Sequence, residues 1–157
     1  MSKYIYPAPG NATAQVTLNL KVGTDSEGLD LPALQDVTVN AANDVFTWTQ
    51  LDAASKNQVA TTATNSLGMN IVLDQTAFFG DSSATSEDAQ TAGVFGLSNQ
   101  KQLVTFELFM GLESDGSPGK TLTGQGYITG LAPTVSADSP VWVSPITITI
   151  TGDYVVS

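Results

Sequence analysis

Residues 139–157 read SPVWVSPITITITGDYVVS, and from Ile146 to Thr151 they alternate without a break: Ile146, Ile148 and Ile150 against Thr147, Thr149 and Thr151. Successive side chains of an extended chain point to opposite faces, so this period of two predicts a strand with one apolar and one hydroxylated face. Ile, Val and Thr branch at Cβ, which suits them to a pleated, half-buried surface. A strand this regular needs partners, and the chain before it supplies them.

Working outward, TLTGQGYITG (121–130) reads as the return strand of a hairpin whose first arm is KQLVTFELFM (101–110). In that arm Val104, Phe106, Leu108 and Met110 share one face, and Leu103, Thr105, Glu107 and Phe109 the other. ESDGSPGK (113–120) places Gly and Pro where the chain reverses. Gly124 and Gly126 inside a strand point to a bulge or a close backbone approach. Farther back, NSLGMNIVLDQTAFFG (65–80) alternates Leu67, Met69, Ile71 and Leu73 with Gly68, Asn70, Val72 and Asp74, predicting a strand. Shorter strands are predicted over 14–22, at Val37 and Val39, and over 45–51, where Phe46 and Trp48 share a face. Asp52 is a suitable N-cap for a turn or two of helix in DAASKNQVATTATN, cut short by Thr61, Thr62 and Thr64. Residues 80–97 open with small, polar and acidic residues and read as a long loop. Residues 1–13, with Pro7, Pro9 and Gly10, read as an extended arm. Tyr4, Ile5 and Tyr6 on that arm either fold back on the chain's own sheet or dock on a neighbouring subunit.

The expected fold is therefore all-β, antiparallel and sandwich- or barrel-like, with at most one short helix and no βαβ rhythm. Residues 1–157 are expected to form one domain. Its sheets would end in exposed edges, a hazard unless used. Closing several subunits edge to edge into a large barrel removes them and leaves an aqueous bore.

Composition narrows function. The net charge is −10, from 15 acidic residues against five lysines, with no histidine and no cysteine. Nucleic-acid backbones are bound by clustered cations, and Lys3, Lys21, Lys56, Lys101 and Lys120 are scattered. The same acidity argues against anionic membranes. Without Cys or His, disulfides, the usual transition-metal ligands and the usual general base are missing. Apolar residues make up 41%, which sets the chain apart from disordered sequences. The N-terminus lacks a secretory pattern and no apolar run is long enough to span a bilayer, so synthesis in the cytoplasm is expected.

Candidate chemistry is sparse. Asp25, Glu27 and Asp30 lack the spacing of a calcium loop and read as a solvated turn. Glu107 could act as one of a glycosidase carboxylate pair, but its place on the polar side of a strand points to solvent or a lumen. GSPGK (116–120) lacks the leading glycine of a phosphate loop, which would fall at Glu113 or Ser114. Trp48, Trp142 and the tyrosines could make a sugar-stacking platform, although core packing is the commoner use of tryptophan. No catalytic residue, cofactor site or metal site is assigned.

The pattern Phe46-x-Trp48, TNSLGMNIVLD (64–74), AFFG (77–80), LSNQKQLVTFELF (97–109) and GYITGLAPTVSADSPVWVSPITITITG (126–152), in that order, resembles the tail tube (major tail) proteins of long-tailed, siphophage-type bacteriophages. The resemblance runs along the whole chain, without the immunoglobulin-like C-terminal domain that some relatives carry. It implies a virion subunit made in the host cytoplasm that stacks in hexameric rings, with strands from six copies forming one inner barrel. DNA would pass through the lumen without specific binding. The partners implied are other copies of the chain and the tape measure, tail terminator and distal tail proteins. On this reading Glu107, Thr105 and Gln125 line the lumen, on strands 101–110 and 121–130, with 140–151 completing the barrel. Tyr4, Tyr6, Asp81, Glu87, Asp88 and Asp115 make ring-to-ring contacts through the arm 1–13, the loop 80–97 and the hairpin tip 112–120. An acidic lining would repel DNA phosphates. The alternatives are a capsid-decorating domain, which sedimentation would separate, and a carbohydrate-binding or carbohydrate-cleaving β-sandwich, which glycan binding or hydrolysis would reveal.

Overall fold

A computed structural model describes residues 4–6, 16–31, 34–49, 51, 56–61, 64–83, 88–113 and 115–157. In chain order the elements are β1 (Ile5–Tyr6), β2 (Thr17–Lys21), β3 (Leu29–Leu31), β4 (Leu34–Asn40), β5 (Asp44–Thr49), β6 (Lys56–Thr61) and β7 (Asn65–Val72). They continue with α1 (Gln75–Phe79), α2 (Asp88–Asn99), β8 (Val104–Phe109), β9 (Leu112–Glu113), β10 (Thr121–Leu131), β11 (Thr134–Ser136) and β12 (Ser139–Val156).

The main sheet is antiparallel in the order β3-β2-β8-β10-β12-β7-β4, with β11 added to β12. It curls into a half-barrel, so the all-β expectation holds. The strand that opened the sequence reading is central: β12 pairs with β7 from Val143 to Ile150 and with β10 from Ile146 to Val156. Ile146, Ile148 and Ile150 are buried as their alternation predicts, and so are Val104, Phe106 and Leu108 on β8 and Leu18 and Leu20 on β2. Leu67, Met69 and Ile71 of β7 complete the same core.

Both sheet glycines are explained by close approach. A Cβ on Gly124 would meet the Phe106 ring at 2.8 Å, and one on Gly126 would sit 2.4 Å from the Thr149 carbonyl oxygen. A bulge lies between Thr123 and Gln125, as the glycine spacing suggested.

Three expectations fail, each for a local reason. The strand predicted over 65–80 stops at Val72, because the Asp74 carboxylate accepts the N–H groups of Thr76 and Ala77 and starts α1. The long loop predicted over 80–97 is largely helix: α2 runs Asp88–Asn99, with a break at Gly93, whose φ is 68°. Its buried residues recur a turn apart on each side of that break (Ala89 and Gly93 before it, Val94 and Leu97 after it), a spacing hidden behind a polar start. The helix expected after Asp52 is replaced over 56–61 by strand β6, and Asp52 itself lies outside the described residues. The β-branched Val59 and Thr61 favour the extended form, and β6 has β5 to pair with.

Helices α1 and α2 pack on the apolar face, where Phe78, Val94 and Leu97 join the core. The corner is locked by Asp25, in the turn after β2: its carboxylate accepts the N–H of Asp88 at 3.1 Å and of Ala89 at 2.9 Å. Gln90 adds a bond from its side chain to the Gly28 carbonyl at 2.8 Å. Asp25, read from sequence as part of a solvated turn, is thus the cap of a helix more than sixty residues away.

Candidate functional site: the polar sheet face and the exposed hairpins

With the apolar side chains facing the core, the alternate residues form a second face. β12 contributes Thr147, Thr149 and Thr151, and β10 contributes Thr123, Gln125, Tyr127 and Thr129. The Oγ atoms of Thr129 and Thr149 lie 2.8 Å apart across the pair. β7 and β4 extend the face with Ser66 and Asn70 beside Asn40 and Asp36: Asn40 Nδ2 donates to Ser66 Oγ at 3.3 Å, and Asn70 Nδ2 to the Asp36 carboxylate at 2.9 and 3.0 Å.

The three residues predicted to line a lumen come together on this face. Gln125 is directly opposite Thr105, and Glu107 is opposite Thr123 on one side and Asn19 on the other. Glu107 is 43% exposed and lies 3.6 Å from the Lys21 amino group. That pair is open to solvent and screened, so it steers local charge more than it stabilises the fold. Hydroxyls and amides dominate this face, and Glu107 is offset by Lys21.

Much of the acidity lies elsewhere. Asp25, Asp74, Asp81 and Asp88 gather where the β2–β3 connection meets the helices, beside an open cleft of about 410 Å³ lined by Asp30, Asp74, Thr76, Asp81 and Gln90. The Thr76 hydroxyl, followed by the Ala77 N–H, holds the Asp74 carboxyl below its ordinary range. Asp81 is lowered in the same way, first by the Ser83 hydroxyl and then by the Ser83 N–H.

The residues expected to bridge rings divide. Tyr4 is exposed and leads into β1, which pairs Ile5 with Glu113 and Tyr6 with Leu112. This part of the arm therefore folds back on its own chain. Asp115 is exposed and accepts the Ser117 N–H at 2.9 Å in the turn after β9. Asp81 accepts both the N–H and the hydroxyl of Ser83, and Asp88 begins α2 under Asp25, so both serve the helical corner. Glu87 lies outside the described residues.

Sequence reasoning caught only part of one exposed apolar surface. β5 and β6 form a two-stranded ribbon off the main sheet, pairing Phe46 with Val59 and Trp48 with Asn57. The Phe46 and Trp48 rings stack 6.0 Å apart at 26°, with Phe46 60% and Trp48 38% exposed. The signal was present: two aromatics alternate on β5, while the partner strand KNQVAT sets only Val59 opposite Phe46 and the polar Asn57 opposite Trp48. At the far end of β7 a second exposed group, Val135, Val141 and Trp142, sits on the β11–β12 hairpin.

The main sheet is thus a half-barrel with a largely polar face, helices on its apolar side and, among the described residues, β3 and β4 at its two edges. No protein-family description and no curated protein matches the chain. Solved structures do. A chain of the tail of an empty gene transfer agent particle with C6 symmetry aligns at 12% identity, covering 89% of this chain and 95% of that one, with a TM-score of 0.59. A chain of an extracellular contractile injection system sheath–tube complex in the extended state aligns at 14% identity over 97% and 92% of the two chains, TM-score 0.58. The SPP1 tail tube aligns at 13% identity over 90% and 76%, TM-score 0.51. The chain has the tail-tube fold.

Proposed function

We propose that the protein is the tube-forming subunit of a phage-type tail. It acts as a single structural domain, without catalysis, polymerising as stacked hexameric rings whose bore carries DNA. The observation that carries this reading is the largely polar face of the main sheet, opposite a filled core and, among the described residues, ending at the edge strands β3 and β4. A sheet polar on one side, apolar on the other and, among the described residues, unpaired at both edges is completed by copies of itself. The C6 symmetry of a structurally similar tail supports six copies per ring.

Thr105, Glu107 and Gln125 then face the bore together with the Thr147–Thr151 ladder. The proposed lining is hydroxyl-rich and carries no cation other than Lys21 among these residues, and Lys21 is paired with Glu107. It offers DNA phosphates no cluster of charge to adhere to. Tyr4 and Asp115, both exposed, touch an adjacent ring in this reading. Tape measure, terminator and distal tail proteins would set the tube's length and ends in the virion. Negative-stain microscopy of the purified chain at rising concentration tests the reading: hollow tubes of uniform bore are expected, and a particle that stays monomeric throughout overturns it. With tubes in hand, Glu107→Lys and Thr105→Lys should slow DNA ejection, and unchanged ejection would remove the lining from the account.

A further inference from the structure

The chain places glycine directly after aspartate at one position, Asp115–Gly116, and never after asparagine. The pair sits in the turn that follows β9. The Gly116 N–H donates to the Glu113 carbonyl at 2.9 Å, and the Glu113 N–H to the Ser117 carbonyl at 2.8 Å. Gly116 has a φ of 86°, so the chain reverses tightly and closes on a bulged glycine.

This turn holds the two partners of an intramolecular reaction together. The Asp115 carboxylate accepts the Ser117 N–H at 2.9 Å, which folds its side chain forward over the Gly116 peptide. The carboxyl carbon is thereby kept beside the Gly116 nitrogen, and proximity is the main requirement of a ring closure. The bond from Gly116 to Glu113 lies in the peptide plane, whereas attack on the carboxyl carbon is made from the face of that plane. A Cβ built on Gly116 meets nothing within 4 Å, so the surrounding space is open, and Asp115 is exposed to water.

We propose that Asp115–Gly116 is a self-modification site, where the aspartate isomerises through a cyclic imide. The Gly116 nitrogen bonds to Asp115 Cγ, and its hydrogen leaves with a hydroxyl of the protonated carboxyl as water. A second water opens the imide at the former main-chain carbonyl, giving isoaspartate with no net change in composition. Asp115 Cβ now belongs to the main chain, and the old main-chain carbonyl has become the free carboxylate. A turn this tight cannot admit the extra atom and keep both of its bonds. The damage reaches β9, whose Leu112 and Glu113 pair with Tyr6 and Ile5 of β1. On the tube reading Asp115 touches an adjacent ring, so isomerised copies are left out of tubes; this last step rests on that reading, and the chemistry does not.

Two other aspartates show why the glycine decides. Asp81 accepts the Ser83 N–H at 2.9 Å and Asp74 the Thr76 N–H at 3.0 Å, the same forward fold. Ser82 and Gln75 follow them, and a side chain there crowds the attacking nitrogen, which glycine leaves clear.

The test is a peptide map of the full chain before and after ageing in warm, mildly acidic buffer. Isoaspartyl peptides keep their mass, elute apart from the parent and accept methyl groups from an isoaspartyl methyltransferase. The Asp115 peptide should convert roughly tenfold or more faster than those carrying Asp74 or Asp81, a barrier lower by about 1.4 kcal/mol. Asp115→Glu, which would have to close a larger ring, should abolish the product while keeping the charge. Ser82→Gly should raise conversion at Asp81 above its wild-type rate. No product at Asp115, equal rates at all three aspartates, or an Asp81 rate unchanged by Ser82→Gly overturns the site. Assembly is read separately: after ageing, isoaspartate should be enriched in chain that stays out of tubes. Equal amounts in tubes and supernatant overturn that step and leave the site standing. Wild-type chain that never forms tubes overturns the tube reading and leaves the chemistry untouched.

Discussion

Two glycines of the main sheet should respond oppositely to the same added methyl group. Gly126 of β10 lies against β12, and a Cβ there would sit 2.4 Å from the Thr149 carbonyl oxygen and 3.0 Å from Ile148 Cγ2. The nearer atom is backbone, so no side chain can swing aside. In Gly126→Ala the two central strands must part or the Gly126–Ile150 pairing must distort. Overpacking of this kind costs about 1–3 kcal/mol, and a weakened ladder bond adds about 1 kcal/mol. Gly68, between β4 and β12 on the polar face, has nothing within 4 Å of a built Cβ. Gly68→Ala restricts the unfolded chain without a clash and should be neutral or stabilise by about 0.4–1 kcal/mol. For a chain of this size a loss of about 3 kcal/mol lowers the thermal midpoint by roughly 6–12 °C. Urea titrations of the monomer at constant m-value supply the free energies. If both variants shift the midpoint in the same direction by similar amounts, the close approach of β10 and β12 is not the constraint argued here.

Other outcomes follow from the same contacts. Asp25→Ala removes the acceptor for the Asp88 and Ala89 N–H groups and should cost about 0.5–2 kcal/mol, with faster amide exchange in the first turn of α2 than elsewhere. The Asp74 carboxyl is lowered by its bonds to Thr76 and Ala77, so its contribution is complete above the ordinary aspartate range and disappears as pH falls through the lowered value. Nuclear magnetic resonance should show Asp74 titrating below a free aspartate while α1 loosens, and an ordinary titration would refute the capping role. Phe106→Ala empties a fully buried site packed over Gly124 and should cost about 3–5 kcal/mol, whereas Phe46→Ala on the exposed ribbon should leave monomer stability within about 0.5 kcal/mol.

The central sheet was legible because its strands obey one rule along their length. Ile146–Thr151, Val104–Phe109 and Leu67–Ile71 alternate cleanly, and each buries the face its pattern names. Side chains in paired strands share faces by register, which sets Gln125 opposite Thr105 and leaves Glu107 on the same face. Helix α2 escaped notice because its capping carboxylate comes from Asp25, far away in sequence, and its buried residues are small and interrupted by glycines. The ribbon β5–β6 was half seen. The aromatic side of VFTWTQL was clear, but alternation alone does not distinguish a face buried within one chain from a face awaiting another. Ion pairing across Lys21 and Glu107 was invisible for a similar reason, since it depends on which strands become neighbours.

The eighteen residues of β12 are bonded to β11 and β7 over the first part and to β10 over the second, with one irregularity at Gly152, whose φ is 75°. Tension along that strand loads its cross-strand bonds together, in shear, instead of opening them one by one like a zip. The subunit is stiff when stretched lengthwise and comparatively yielding when an outer strand is peeled sideways. A conduit made of such units would tolerate bending while keeping its length fixed, because flexure could be taken up between units and extension would have to break many bonds at once.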